Sequence, residues 1–408
     1  MSRSGDAGVV AQEFRRESRR VVASLIKFCG DFDVAEDAVQ DAFVVALQRW
    51  VVDGIPANPA AWITTTAKRR AVDRIRREGR RADKEALVAR IRQMPDEPTG
   101  LEDDRLRLIF TCCHPALAPD SRVALTLRTV CGLSTAEVAK AFVSPEATVA
   151  QRLVRAKRKI RVAGIAYEVP PPERLDARLA AVLAVVYLLF NEGYVASSGE
   201  ILVRDELCDE ALRLGALLSE LMPGEPEVLG LHALMLLSHS RRRARTDDSG
   251  GMVLLADQDR SRWEQPKIDR GLALVRQAAR MGSVGQYWLQ AAIVAEHVRA
   301  PTADDTDWAH VCRLYDSLLD LTRSPVVALN RAIAVSMIKG PDAGLRLLEP
   351  VAGELDGYVY FHSSRADLYR RAGELPSARA TYRRALELAT NDVQRAALDA
   401  RLEEVSAS

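Results

Sequence analysis

Residues 134–161 read STAEVAKAFVSPEATVAQRLVRAKRKIR, a stretch carrying start signals for two helices a tight turn apart. Ser134-Thr135-Ala136-Glu137 is a capping box: the Ser134 hydroxyl accepts from the third backbone N–H while the Glu137 carboxylate reaches back. It predicts a short helix from Thr135 to Phe142, with Val138, Ala139 and Phe142 on one apolar face. Ser144-Pro145-Glu146 then supplies an N-cap, a proline at the first helical position and an acid in the first turn, predicting a second helix from Pro145 to about Arg161. Val149 and Leu153 face inward, and Ala156 and Ile160 continue their stripe at three- and four-residue spacing. The opposite face carries Thr148, Gln151, Arg152, Arg155, Lys157, Arg158 and Lys159. Such a pair is a helix-turn-helix, whose second helix enters the major groove of DNA by its N-terminal part. Glu146, Thr148, Gln151, Arg152 and Arg155 are then the expected readers of base or backbone, with Lys157, Arg158 and Lys159 on phosphates. The competing reading is a solvated basic face. The tight turn and six bases from Arg152 to Arg161 with no acid weigh against it.

A second basic stretch lies upstream. Between residues 68 and 81 there are eight bases and two acids, in a predicted helix that starts at Pro59-Ala60-Ala61-Trp62-Ile63. Lys68, Arg69, Arg70, Arg74, Arg76 and Arg77 are its candidate DNA contacts, and Arg80 and Arg81 follow. Trp62 is either core or a platform on which an unpaired base stacks beside a cationic groove. Asp73 is placed to pair with Arg77 one turn later. Before this comes an acidic amphipathic helix, Asp33 to Trp50. Val39, Phe43, Ala46, Leu47 and Trp50 form its buried stripe, and Glu36, Asp37, Gln40 and Asp41 cluster on the outside. Such a patch suits a basic helical partner, although alone it would read as a solubility feature.

At 408 residues the chain has room for two or three domains. Its net charge of +1 hides an asymmetry: residues 1–165 hold 29 Lys and Arg against 21 Asp and Glu, and the remainder 28 against 35. A basic front and an acidic rear fit a nucleic-acid-binding module joined to something of another purpose. Helix formers dominate, period-2 runs are missing, and the expected fold class is all-α. Met94-Pro95-Asp96-Glu97-Pro98-Thr99-Gly100, followed by Glu102-Asp103-Asp104, reads as an acidic broken linker. Pro170-Pro171-Pro172 reads as a second boundary and an extended spacer. The expected domains are 10–82, a linker at 83–102, 103–166, and 173–408.

These residues resemble bacterial sigma-70 family initiation factors of the extracytoplasmic-function type, which keep only the second and fourth conserved sigma regions. Ala35 to Trp50 look like the helix that binds core RNA polymerase, so the resemblance assigns Glu36, Asp37, Gln40 and Asp41 to polymerase. Trp62 to Arg77 look like the segment that melts and reads the −10 element of promoter DNA. Leu101 to Arg161, with Asp103-Asp104-Arg105-Leu106 and the helix-turn-helix, look like the region that reads the −35 element. Related factors often have Ala-Arg-Asn-Arg where this chain has Ala67-Lys68-Arg69-Arg70, so the −10 base preference does not carry over. The rival from another class is a helix-turn-helix regulator acting without core polymerase.

The six cysteines form no CxxC pair, which fits a reduced, cytoplasmic compartment. Cys112-Cys113-His114-Pro115 invites a metal reading, but adjacent cysteines rarely complete a tetrahedral site and buried small residues are the simpler account. Neither metal nor cofactor is expected. No nucleophile–base pair marks an enzyme; Asp257, Asp259, Arg260 and His239 are weak candidates for one. The longest apolar run, Leu179 to Phe190, is too short to span a bilayer, and the N-terminus lacks a signal-peptide core.

The acidic rear block offers Ala366, Tyr369, Gly373, Ala378, Tyr382 and Ala385, spacings that resemble a tetratricopeptide repeat. A weaker copy 34 residues earlier holds Ala332, Val335, Gly344, Leu348 and Val351. Stacked helix pairs would give a concave surface suited to a peptide or protein ligand. Two stretches leave the repeat spacing, Phe190 to Tyr194 and Ala256 to Trp263. They read as a buried structural network in preference to a ligand pocket or latch. With the repeats, they resemble the C-terminal extension of one sigma subgroup, which implies modulation of activity in place of a separate anti-sigma protein.

Overall fold

The computed structural model describes residues 21–78, 88–89, 91–93, 101–131, 133–141, 144–195, 203–247, 250–282 and 285–407. The fold class is all-α. Apart from one isolated bridge, Thr246 to Met252, the described residues hold no β-structure. No described helix is long and apolar enough to cross a membrane. The chain divides into two compact units, Met1–Val185 and Val186–Ser408.

The first unit opens with α1 (residues 21–29), α2 (Phe32–Asp53) and α3 (Pro59–Glu78). Asp31 caps α2, its carboxylate accepting from the N–H groups of Asp33 at 2.9 Å and Val34 at 3.2 Å. Ala35, Ala38, Val39, Ala42, Phe43, Ala46 and Trp50 are buried and pack against Ile63, Ala67, Ala71 and Ile75 of α3. Leu47, expected in this stripe, is instead 46% exposed. It lies at the margin of the apolar arc, where Ala46 already faces the core.

The unit continues with α4 (Leu101–Cys112), α5 (Pro119–Leu125), a π-helical turn (Thr126–Cys131), α6 (Thr135–Ala141) and α7 (Glu146–Val162). Glu102-Asp103-Asp104, read with the linker, are the first turn of α4. Pro145 is the N-cap of α7 and makes no side-chain cap bond, so the helix begins one residue later than expected and Ser144 does not cap it. Phe142 lies outside the described residues. Cys112 and Cys113 are fully buried, and burial pushes the Cys113 thiol up to about 11. Among the described residues no group of His, Cys, Asp or Glu is arranged to hold a metal ion.

Helix α8 (Pro172–Tyr194) starts within the triple proline, and the division between the units falls inside it. The second unit continues with α9 (Asp205–Leu221), α10 (Pro226–His239), α11 (Gln265–Ala279), α12 (Gln286–Arg299), α13 (Trp308–Thr322), α14 (Pro325–Lys339), α15 (Pro341–Leu348), α16 (Val359–Arg371), α17 (Leu375–Leu388) and α18 (Asp392–Ala407). Every residue of α10 from Val228 to His239 is buried, so this helix is apolar all round and runs through the core. A Cβ at Gly230 would stand 2.6 Å from the Trp288 backbone nitrogen, so only glycine lets α10 and α12 approach this closely. The repeat-spaced Ala366, Ala378, Tyr382 and Ala385 are buried in the core shared by α16, α17 and α18. Ala332 and Leu348 sit in the adjoining core of α14 to α16, and Gly344 packs on Ala332 and Ser336.

Glu227 is the cap that the sequence did not announce. Its carboxylate accepts from Gly285 N at 3.1 Å, Tyr287 N at 2.9 Å and Trp288 N at 3.1 Å, satisfying the start of α12 from another helix. Glu227→Ala leaves these donors unmet and is expected to lower stability by about 2 kcal/mol. Urea unfolding followed by helical circular dichroism would show it as a lower midpoint with an unchanged slope.

Candidate nucleic-acid and polymerase interface

The first helix of the helix-turn-helix starts as its capping box requires. Ser134 N donates to the Glu137 carboxylate at 2.6 Å, and Glu137 N donates to the Ser134 hydroxyl at 3.1 Å. Hydrogen bonds from the Ser134 backbone N–H and side chain to the Glu137 carboxylate hold that carboxyl below the usual carboxylate range. Val149, Leu153, Ala156 and Ile160 pin α7 to α5 and α6. That leaves Glu146, Gln151, Arg155, Arg158 and Lys159 exposed, with Thr148 and Arg152 half-buried. Arg152 reaches Asp120 at 3.5 Å, an exposed pair of small energetic weight.

Lys157 departs from the expected open face. Its side chain is only 12% exposed, and its ammonium lies 2.8 Å from Asp33 and 3.1 Å from Glu36 on α2. Burial pulls the Lys157 pKa down, but Glu36 and Asp33 outweigh it and hold the ammonium above the ordinary lysine value. Glu36 also accepts from the Thr129 hydroxyl at 3.3 Å and lies 3.8 Å from Arg128. Within the first unit, therefore, one residue expected on polymerase and one expected on DNA are bound to each other. Asp33 is a participant that sequence reading missed, because its position one turn before Glu36 gains meaning only when α7 packs there.

The rest of the acidic set divides. Asp37 pairs with Arg74 of α3 at 2.7 Å, so Arg74 is engaged with α2. Gln40 and Asp41 face solvent. On α3, Lys68, Arg69 and Arg76 line a cleft of about 480 Å³ with Thr65, Asp73 and Arg92. Arg92 was not singled out in the sequence, since the segment holding it read as linker. Arg70 is exposed, and the Arg77 side chain, with its expected bond to Asp73, lies outside the described residues. Trp62 is half-buried and meets Trp50 edge-on at 5.4 Å, so one side of its ring is committed to the core.

An acidic helix, a basic helix with a cleft, and a helix-turn-helix follow one another in the order of the two sigma-70 regions that the chain matches. Residues 14–81 match the model for Sigma-70 region 2, and residues 107–160 that for Sigma-70, region 4. Residues 178–279 match a family of unknown function, DUF6596. The chain is 42% identical over 396 residues to "Uncharacterized protein R00370" of Rhizobium meliloti, covering 95% of this chain and 94% of that one. It is 27% identical over 171 residues to "Probable ECF RNA polymerase sigma factor SigI" of Mycobacterium tuberculosis, covering 40% of this chain and 58% of that protein. With "ECF RNA polymerase sigma factor SigK" of Mycolicibacterium vanbaalenii it shares 28% identity over 166 residues, 38% of this chain and 82% of that protein. The chain belongs to the extracytoplasmic-function sigma-70 factors and carries a C-terminal extension.

Proposed function

We propose that this chain is an alternative sigma factor that recruits core RNA polymerase to a small set of promoters. Glu36, Asp37, Gln40 and Asp41 bind the polymerase. Trp62, Lys68, Arg69, Arg70, Arg74, Arg76 and Arg77 engage the −10 element. Glu146, Thr148, Gln151, Arg152, Arg155, Lys157, Arg158 and Lys159 engage the −35 element. The boundaries 10–82 and 103–166 assign these tasks to two parts of the first unit, and the regulatory extension, expected at 173–408, is taken from Val186 onward. The protein performs no covalent chemistry and acts in the cytoplasm. The observation that supports the reading best is the occurrence in one unit of the basic cleft of α3, the exposed Gln40 and Asp41 of α2 and an exposed recognition helix.

Both Lys157 and Glu36 must leave each other before each can serve its own partner. The extension modulates activity, through a peptide or protein ligand held on its stacked helices. The test is run-off transcription with purified core polymerase, comparing the full chain with one ending at Val185. That end is chosen over the triple proline because Arg178 of α8 donates to the Phe110 carbonyl at 2.8 Å and belongs to the first unit. Promoter-directed output is expected from both, differing several-fold; equal output would remove the regulatory role.

A further inference from the structure

Three arginines of the second unit, Arg241, Arg245 and Arg260, gather where the two stretches that left the repeat spacing meet. The Arg260 guanidinium lies 4.4 Å from the Trp263 ring centroid and that of Arg241 6.0 Å, while Arg245 stacks on Tyr194 at 3.6 Å. Arg241 also donates to the Tyr194 hydroxyl at 3.1 Å. Part of this charge has a structural partner. Arg245 donates to the Tyr194 carbonyl at the end of α8, and Arg260 donates to the His297 and Ala300 carbonyls at the end of α12, 2.8 Å each. A helix C-terminus carries about half a negative charge, so the two ends offset roughly one of the three cations.

Nearby acids are committed elsewhere: Glu192 to Arg204 at 3.2 Å, and Asp205 and Glu264 to Arg242 at 3.2 and 2.8 Å. Among the described residues, none of the three arginines has a carboxylate at ion-pair distance, and Asp305 acts on Arg260 only from farther away. His297 adds no countercharge: burial, Arg241 and Arg260 pull its pKa down to about 4, so it stays neutral. Two donors are also orphaned. Arg241 Nε and the Trp263 indole N–H are buried without a hydrogen-bond partner, and Trp263 is only 8% exposed. A closed structural network would have satisfied them. Excess positive charge, buried donors and no acceptor are what an oxyanion completes.

We propose that Arg241, Arg260 and the Trp263 indole N–H form a binding site for a small oxyanion, a phosphoryl or carboxylate group. The proposal stands apart from the promoter reading, which concerns the first unit. It is tested by isothermal titration of the full chain with inorganic phosphate and, separately, acetate, at an ionic strength fixed with chloride. Saturable binding is expected. Stronger binding of phosphate assigns the phosphoryl group, and stronger or equal binding of acetate the carboxylate. Arg241→Gln is expected to weaken the site by about tenfold or more. Trp263→Phe, which keeps the aromatic face and removes the N–H, is expected to weaken it about fivefold and decides the matter if Arg241→Gln does not fold. Heat that neither variant changes belongs to the basic front helices and overturns the proposal, as does the absence of binding by both probes.

Discussion

Asp37→Lys combined with Asp41→Lys is expected to weaken binding to core RNA polymerase by about 100-fold, corresponding to roughly 3 kcal/mol. The two side chains lie one turn apart on α2, Asp41 in solvent and Asp37 against Arg74. Reversal turns attraction for a basic partner helix into like-charge repulsion. The fold should survive, because both sites are at the surface and the Arg74 pair is more than a third exposed, which limits its worth to under about 1 kcal/mol. Co-elution with core polymerase, compared at matched circular dichroism, measures the effect. The outcome separates two classes of protein. A regulator that works without core polymerase would keep its promoter binding and its transcriptional effect in this variant. Undiminished co-elution would remove α2 from the polymerase interface.

Asp104→Ala is expected to destabilise the first unit by about 3 kcal/mol. Its carboxylate is 3% exposed and binds Lys27 of α1 at 3.1 Å and Arg107 at 2.8 Å, with the Ser24 hydroxyl at 3.4 Å. The Asp104 carbonyl accepts from the Tyr167 hydroxyl at 2.8 Å, and that hydroxyl also lies 3.0 Å from the Ala23 carbonyl. One residue thus joins α1, α4 and the segment after α7. The loss falls at the lower end for a broken buried pair because Lys27 and Arg107 are partly solvated and recover some hydration. Asp104→Asn, which keeps the shape and one acceptor, should lose less. A denaturant midpoint that does not move in Asp104→Ala would deny this residue its joining role.

Local chemistry was readable wherever a few adjacent residues settle it. The Ser134–Glu137 box and the stripe through Val149, Leu153, Ala156 and Ile160 need only helical geometry, and both are in place. The start of α7 moved by one residue because Pro145 took the cap position itself. Leu47 left the core for the same kind of reason, an angular margin that periodicity resolves poorly. Asp104 was legible only as an acid where the linker meets the second sigma-like region, since nothing nearby in sequence reveals Lys27 or Tyr167. Lys157 looked like one phosphate contact among several, because its acids stand on a helix more than a hundred residues earlier.

By itself the sequence determined an all-helical chain with an acidic helix, two basic helices and a repeat-spaced rear block. Those features follow from side-chain spacing and charge, which are properties of the unfolded string. Only tertiary structure decided which charges are spent inside the molecule. Lys157 and Glu36 bind each other, Glu227 caps a helix from afar, and Arg241 is left with one donor unmet. The physical reason is that an ion pair or an orphaned donor depends on distance through space and on burial, and neither is fixed until the helices pack.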